Sequence, residues 1–264
     1  MNSSSDAGGA RMGTLVLLRH GESVGNAREI FTGVLDVDLT LDGEQACRDA
    51  GSRLIEAGFT PDLVLTSELA RGWRTAELVT AALGIDRPIA RTWRLNERNY
   101  GALSGHLKAD IRERHGKELY LHWRRSLDGR PPALDQQTVD LWRRLSPFDR
   151  LPADALTPTE SLADVVERLQ PWVPDLFTEL RAGHDVLLVA HGNSLRALCA
   201  ILDDLTGEEL TTLNVPNARP LRYDFAELPD DGGGRLRPEV RGGVYLDPEM
   251  ALLEAAVIAR QGGT

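Results

Sequence analysis

Apolar residues along the chain fall into short unbroken runs, separated by longer stretches in which they recur every three or four positions. Thr14–Leu18 (TLVLL) is such a run, followed at once by Arg19, His20 and Gly21. It is too short for a buried helix and reads as a buried parallel strand ending in a loop. Asp62–Thr66 (DLVLT) and Asp185–Ala190 (DVLLVA) read the same way, and Ile89–Thr92 reads as a weaker strand. Pro220–Phe225 (PLRYDF) alternates like an edge strand. Between these runs the spacing turns helical. Leu41–Ala57 is expected to be a helix stopped by Gly58. Glu68–Leu83 is expected to be capped by Ser67 and ended by Gly84. Thr159–Ala182 is opened by Thr159 and Ser161, closed by Gly183, and kinked or split by Pro171 and Pro174. Another helix starts at Asn193 or Ser194, and Pro248–Ala259 forms the last.

Strands alternating with helices predict an α/β fold with three layers, α/β/α, around a mostly parallel central sheet. Gly105–Pro158 breaks the rhythm. It is polar, rich in Arg and dotted with Pro, and reads as an insertion carrying helix. The expected organisation is a disordered tail at 1–13 and a single catalytic domain at 14–264, with the insertion at about 105–158 and a C-terminal tail at about 248–264. Pro229–Gly234 (PDDGGG) reads as a loop.

Composition narrows the function. The chain has 264 residues and a formal charge of −10, which disfavours a nucleic-acid partner. An acidic protein that binds an anion must gather positive charge locally. Arginine supplies nearly all of it, since Lys108 and Lys117 are the only lysines. Cys47 and Cys199 lie far apart without a zinc spacing and read as reduced, buried thiols. No apolar stretch approaches the length of a membrane span, and residues 1–13 lack the core of a signal peptide. A soluble cytoplasmic protein with no membrane partner is expected.

Two strands end alike, in Leu18-Arg19-His20-Gly21 and Ala190-His191-Gly192-Asn193. Ligands of open α/β sheets bind beyond the carboxyl ends of the strands, so both histidines face one rim. His20, Glu22 and His191 offer a conceivable zinc set. Arg19 favours an anion instead, because a fixed cation repels a divalent metal and a guanidinium fork matches phosphate oxygens.

The segment Leu18-Arg19-His20-Gly21-Glu22-Ser23 resembles the motif of the histidine phosphatase superfamily. The resemblance extends in order through Asn26, Phe31-Thr32-Gly33, Asp36-Val37-Asp38-Leu39, and Thr66-Ser67 with Arg71. It continues with Leu95–Leu103 (LNERNYGAL), Trp123-Arg124-Arg125, Thr159-Glu160-Ser161-Leu162, Ala190–Leu198 (AHGNSLRAL) and Ala259-Arg260-Gln261-Gly262. Over about residues 14–262 the chain looks like the cofactor-dependent phosphoglycerate mutases. That likeness implies a phosphoglycerate mutase-like fold, with the insertion near the active site. The implied reaction is the glycolytic and gluconeogenic interconversion of 3-phosphoglycerate and 2-phosphoglycerate, primed by 2,3-bisphosphoglycerate and needing no metal.

The resemblance also implies roles. His20 would be the nucleophile, with its other ring nitrogen held by a backbone carbonyl. Arg19, Arg71, Asn26 and His191 would surround the phosphoryl group, and Glu97 would act as general acid and base. Tyr100, Lys108, Arg124 and Arg125 would hold the far end of the substrate. Ser23, Thr32, Gly33, Gly192 and Asn193 would complete the binding rim. Gly25 and Val34 stand where the family commonly has Trp, and Ile30 where many members have Arg; all three read as wall positions. Ala133–Asp154 matches poorly and reads as a shorter or rearranged insert. A homodimer or homotetramer is the usual family assembly. Two rival readings remain: a histidine phosphatase on a small phosphorylated metabolite, and a non-catalytic sensor of an anionic metabolite.

Overall fold

A computed structural model describes residues 11–226 and 235–260. The strands are β1 (Leu15–Arg19), β2 (Leu63–Thr66), β3 (Ile89–Arg91), β4 (Val186–Ala190), β5 (Leu221–Tyr223), β6 (Phe225–Ala226), β7 (Arg237–Pro238) and β8 (Val244–Tyr245). The helices are α1 (Val24–Ala27), α2 (Leu41–Glu56), α3 (Ala70–Leu83), α4 (Lys108–His115), α5 (Lys117–Arg125), α6 (Gln136–Trp142), α7 (Leu162–Leu169), α8 (Val173–Arg181), α9 (Gly192–Asp203), α10 (Gly207–Thr212) and α11 (Pro248–Arg260). Among the described residues a six-stranded sheet runs β3-β2-β4-β1-β5-β8. β3, β2, β4 and β1 are parallel, while β5 runs antiparallel to both β1 and β8.

The unbroken apolar runs are explained by burial on both faces. In β1, Leu15 and Leu17 point into one core with Leu188 and Ala190 of β4, beneath α7, α8 and α9. Val16 and Leu18 point into the other, with Leu187 and Val189, beneath α2 and α3. Alternate side chains of a strand leave opposite faces, so a strand covered on both sides must be apolar throughout. This is the expected three-layer architecture.

Several local expectations need correction. β5 is not an edge strand, because β8 pairs outside it. Ser67 does not cap α3. That helix starts at Ala70 after Leu69, which makes no side-chain cap, and the Ser67 hydroxyl goes to the active site. α7 begins at Leu162 and not at Thr159, while Ser161 caps it in a box with Asp164 and the proline pair splits the stretch into α7 and α8, both as expected. Arg11 and Gly13, assigned to the tail, are tied to the domain: Arg11 pairs with Asp185 at 2.9 Å and the Gly13 N–H donates to Leu180 O at 2.7 Å. Residues 1–10, the loop expected at 229–234 and the last four positions lie outside the described residues.

The insertion carries α4, α5 and α6. Its poorly matched part is anchored by Phe148, which packs with Val34, Leu69 and, just beyond that part, Leu156, so Val34 serves a hydrophobic cluster. Gly25 lies against Thr32, where an added Cβ would stand 2.2 Å from the Thr32 hydroxyl oxygen. Cys47 and Cys199 are buried free thiols.

Helix α2 butts against the loop that follows β1, and Gly43 in its first turn makes this approach possible. A Cβ there would lie 2.1 Å from Glu22 O, a backbone atom that cannot swing away. Gly43→Ala is expected to lose about 1–3 kcal/mol of unfolding free energy in urea titration, the scale of overpacking. Unchanged stability would show that the helix has room to retreat.

Candidate active site

The parallel register Arg19↔Ala190 brings the ends of β1 and β4 together. His20 and His191 follow directly, and the His20 N–H donates to Ala190 O at 3.0 Å. Their ring centroids are 5.0 Å apart, and both rings are buried.

His20 Nδ1 donates to Gly21 O at 2.6 Å; a carbonyl can only accept, so the proton sits on Nδ1 and Nε2 carries the lone pair. Arg71 Nε donates toward that nitrogen at 3.3 Å. Burial, then Arg71 and Arg19, push the His20 pKa well below its ordinary value, so the ring stays neutral near pH 7. His191 is likewise held well below its ordinary value, by burial first and then by Arg71.

Backbone carbonyls aim the arginines. Arg71 reaches Gly33 O at 2.7 Å and Leu35 O at 2.9 Å, and Arg19 reaches Val215 O at 2.9 Å. Gly33 has a φ of 50°, the left-handed region that favours glycine, and this turns its carbonyl toward Arg71. Arg19 Nε and His191 Nδ1 are buried without a hydrogen-bond partner. An unpaired buried guanidinium N–H beside a nucleophile is what an anion would satisfy.

Glu97 is buried between two elements. Its Oε1 accepts the Arg98 N–H at 2.7 Å, and both oxygens receive the Asn193 N–H, at 3.2 and 3.3 Å. Asn193 lies in the first turn of α9, beside Gly192. Its side chain donates to the Tyr100 hydroxyl oxygen at 3.1 Å and accepts from Arg196 at 3.0 Å. Burial alone would raise the Tyr100 phenol, but Arg98 and Arg124 outweigh it and hold the group below its ordinary value.

One cleft is lined by Arg19, His20, Ser23, Asn26, Thr32, Gly33, Arg71, Glu97, Tyr100 and Lys108, with Phe31 and Ile30 as apolar walls. Ser23 caps α1 and fixes the Asn26 carboxamide oxygen, its hydroxyl donating at 2.9 Å. Arg124 is fully buried against Phe31 and Tyr120 and hydrogen-bonds the Tyr120 hydroxyl. Arg19, Asn26 and Lys108 also line an outer pocket of about 490 Å³, whose far wall is Glu254, Val257 and Ile258 of α11. Arg219 ties that helix down through Glu254 and Asp247.

Arg125 does not join the cleft. Its guanidinium turns to Thr211 O, Leu213 O and Asn214 Oδ1, so it braces α5 against the end of α10 and the residues that follow. Sequence reasoning also missed Ser67, whose hydroxyl meets His191 Nε2 at 2.7 Å. It missed Asn217, whose amide donates to His20 O at 2.7 Å. Ser67 was visible in the matched Thr66-Ser67 pair but was read as a helix cap; Asn217 carried no signal. Among the described residues no cluster of three or more His, Cys, Asp or Glu side chains could hold a metal ion.

A neutral imidazole with one unprotonated nitrogen, arginines around it and a carboxyl group in the same cleft make a set of groups suited to phosphoryl transfer. Residues 15–150 and 135–227 match the histidine phosphatase superfamily (branch 1), and the chain belongs to it. The chain is 46% identical over 253 residues to a 2,3-bisphosphoglycerate-dependent phosphoglycerate mutase of Thermobifida fusca (strain YX), covering 95% of this chain and 100% of the relative. A protein of the same description from Rhodococcus jostii (strain RHA1) is 45% identical over 262 residues, 97% of this chain and 99% of the relative. Within the superfamily, the chain is therefore a member of the 2,3-bisphosphoglycerate-dependent phosphoglycerate mutase family. A mycobacterial glucosyl-3-phosphoglycerate phosphatase solved with VO3 has a similar structure, with a TM-score of 0.65, 26% identity, and coverage of 89% of this chain and 100% of that one.

Lys108 provides a test of the cleft's electrostatics. Burial, then Arg124 and Arg19, push its pKa down to about 7. An arriving anion favours the charged ammonium and raises that pKa, so binding takes up a proton. Affinity for a phosphorylated ligand is expected to fall as pH rises above about 7, and calorimetry in buffers of different ionisation heats should show proton uptake that Lys108→Met removes. Equal uptake in both proteins would assign the proton to another group.

Proposed function

We propose that the chain interconverts 3-phosphoglycerate and 2-phosphoglycerate through a phosphohistidine at His20, primed by 2,3-bisphosphoglycerate. The observation that carries this reading is the His20 tautomer: Nδ1 is tied to Gly21 O, and Nε2 is left as the nucleophile beside Arg71. In the priming step Nε2 forms a bond to phosphorus as the bond from that phosphorus to an alkoxide oxygen of 2,3-bisphosphoglycerate breaks. Glu97 gives a proton to that oxygen, and in the return step takes one from the hydroxyl that attacks the phosphohistidine. Arg19, Arg71, Asn26 and His191 neutralise charge on the equatorial oxygens, and the orphaned nitrogens of Arg19 and His191 suit that task. Lys108, Tyr100 and Arg124 would meet the substrate's second charged group. Ser23, Thr32, Gly33, Gly192 and Asn193 shape the rim, and Arg125 supports it from behind.

The rival phosphatase reading takes support from the structural neighbour described as a phosphatase, at 26% identity. The mutase relatives, at 45–46% identity, support re-transfer. A mutase must keep water from the phosphohistidine, and α11 supplies Glu254, Val257 and Ile258 to the wall of the outer pocket. A homodimer or homotetramer is proposed from the family pattern, and sedimentation would establish it. No helix among the described residues is long and apolar enough to cross a membrane. A cytoplasmic location is proposed, in keeping with the buried free thiols.

Purified protein is expected to convert 3-phosphoglycerate only after a trace of 2,3-bisphosphoglycerate is added. Robust conversion without it would remove the priming claim, and steady release of inorganic phosphate would favour the phosphatase. His20→Ala should abolish acid-labile labelling by the bisphosphate, and Glu97→Gln should slow transfer by about 10²–10⁴, the usual scale of general acid–base help. Retained label would point to another nucleophile, and an undiminished rate would reassign Glu97.

A further inference from the structure

The matched segment Thr159-Glu160-Ser161-Leu162 makes no contribution to the cleft itself, yet Glu160 is buried. It pairs with Arg168 of α7, whose Nε donates to Glu160 Oε1 at 2.8 Å. Both side chains are nearly withdrawn from solvent, at 10% and 11% exposure. The rest of the Arg168 fork is spent on one stretch of backbone. Nη2 donates to Asn96 O at 2.6 Å and to Glu97 O at 3.4 Å. Nη1 donates to Trp93 O at 3.5 Å and, at shorter range, to Arg94 O. Arg94 answers by donating to Arg168 O at 2.7 Å. On the far side of Glu97, Glu160 Oε2 accepts the Asn99 N–H at 2.8 Å, and the Glu160 N–H donates to Asn99 O at 2.9 Å.

One buried ion pair therefore grips the chain on both sides of Glu97, holding carbonyls before and at it and the amide two residues after. The stretch has no strand or α-helix to stiffen it; it passes from a single 3₁₀ turn at Trp93–Leu95 into another at Gly101–Leu103. A guanidinium is suited to this grip because it presents five donors in a rigid plane, whereas an ammonium offers three on a flexible stem.

We propose that the Arg168–Glu160 pair is a positioning device for Glu97, acting on phosphoryl transfer through the placement of that carboxyl group alone. The inference rests on the reading of Glu97 as general acid. It predicts a dependence on the leaving group that general damage to the fold would not produce. When His20 Nε2 takes the phosphoryl group from 2,3-bisphosphoglycerate, the departing alkoxide needs a proton from Glu97. When it takes the group from 2,4-dinitrophenyl phosphate, the departing phenolate is stable as an anion and needs none.

Single-turnover phosphorylation of His20 by each donor separates the cases in the wild type, Glu97→Gln, Arg168→Lys, Arg168→Met and Glu160→Gln. Arg168→Lys is expected to slow transfer from the bisphosphate by about ten- to a hundredfold, the scale of a misplacement near 1 Å, with less than about threefold loss on the dinitrophenyl ester. Glu160→Gln keeps an acceptor for Asn99 and should show the same selectivity, at about three- to tenfold. These two variants retain a polar partner and carry the test if Arg168→Met does not fold. Equal slowing with both donors, while Glu97→Gln discriminates between them, would overturn the positioning role and leave the proposed reaction standing. If Glu97→Gln shows no discrimination, Glu97 is not the acid and the inference falls with it.

Discussion

The hydrogen bond from His20 Nδ1 to Gly21 O is the contact on which the rest depends. It commits the imidazole to one tautomer and presents Nε2 to the cleft. Burial and two neighbouring arginines then keep the ring from taking a second proton. The same guanidinium groups that would weaken a free histidine as a base are the ones that make a phosphorylated histidine tolerable, because they answer the charge it acquires. The surrounding loops can be understood as the apparatus that keeps these opposed demands in register: Asn217 holds the His20 carbonyl, and Thr75 receives the Gly21 N–H.

A second pattern follows from how the buried cations are held. Arg19, Arg71, Arg125, Arg168 and Arg196 are all aimed by main-chain carbonyls. A carbonyl fixes direction without cancelling a full charge, as a carboxylate would. Arg168 alone of these also has a carboxylate partner in its hydrogen bonds, and it stands behind the cleft, where its charge has no ligand to meet. The arginines that line the cleft, Arg19 and Arg71, retain their attraction for an anion although the protein carries a net charge of −10. Local concentration of positive charge in an acidic chain is achieved by orientation as much as by composition.

How much of this could be read from the chain depended on whether the determining contacts were local. The ends of β1 and β4 were legible because burial on both faces demands unbroken apolar runs, and the two histidines follow those runs directly. Capping at Ser161 was legible for the same reason, its partner lying three residues away. Ser67 was not, since the atom that claims its hydroxyl is 124 positions distant. Arg124 and Arg125 are adjacent in a helix and chemically identical, yet one packs on Phe31 and the other reaches Thr211; consecutive helical residues point about 100° apart, and only the neighbours decide where each one goes. β8 escaped notice because two residues leave no periodicity to read.

Gly33 bears on the history of such a rim. Its left-handed backbone turns a carbonyl onto Arg71, and an added Cβ would stand 3.0 Å from Arg98 O, so a side chain there is opposed by both conformation and space. Ile30 lines the same cleft, and its N–H donates to Gly25 O at 3.1 Å. Divergence among descendants of this chain has an open route at Ile30 and a closed one at Gly33. New substrate shapes would therefore be explored by changing the wall while the arginine scaffold is inherited intact.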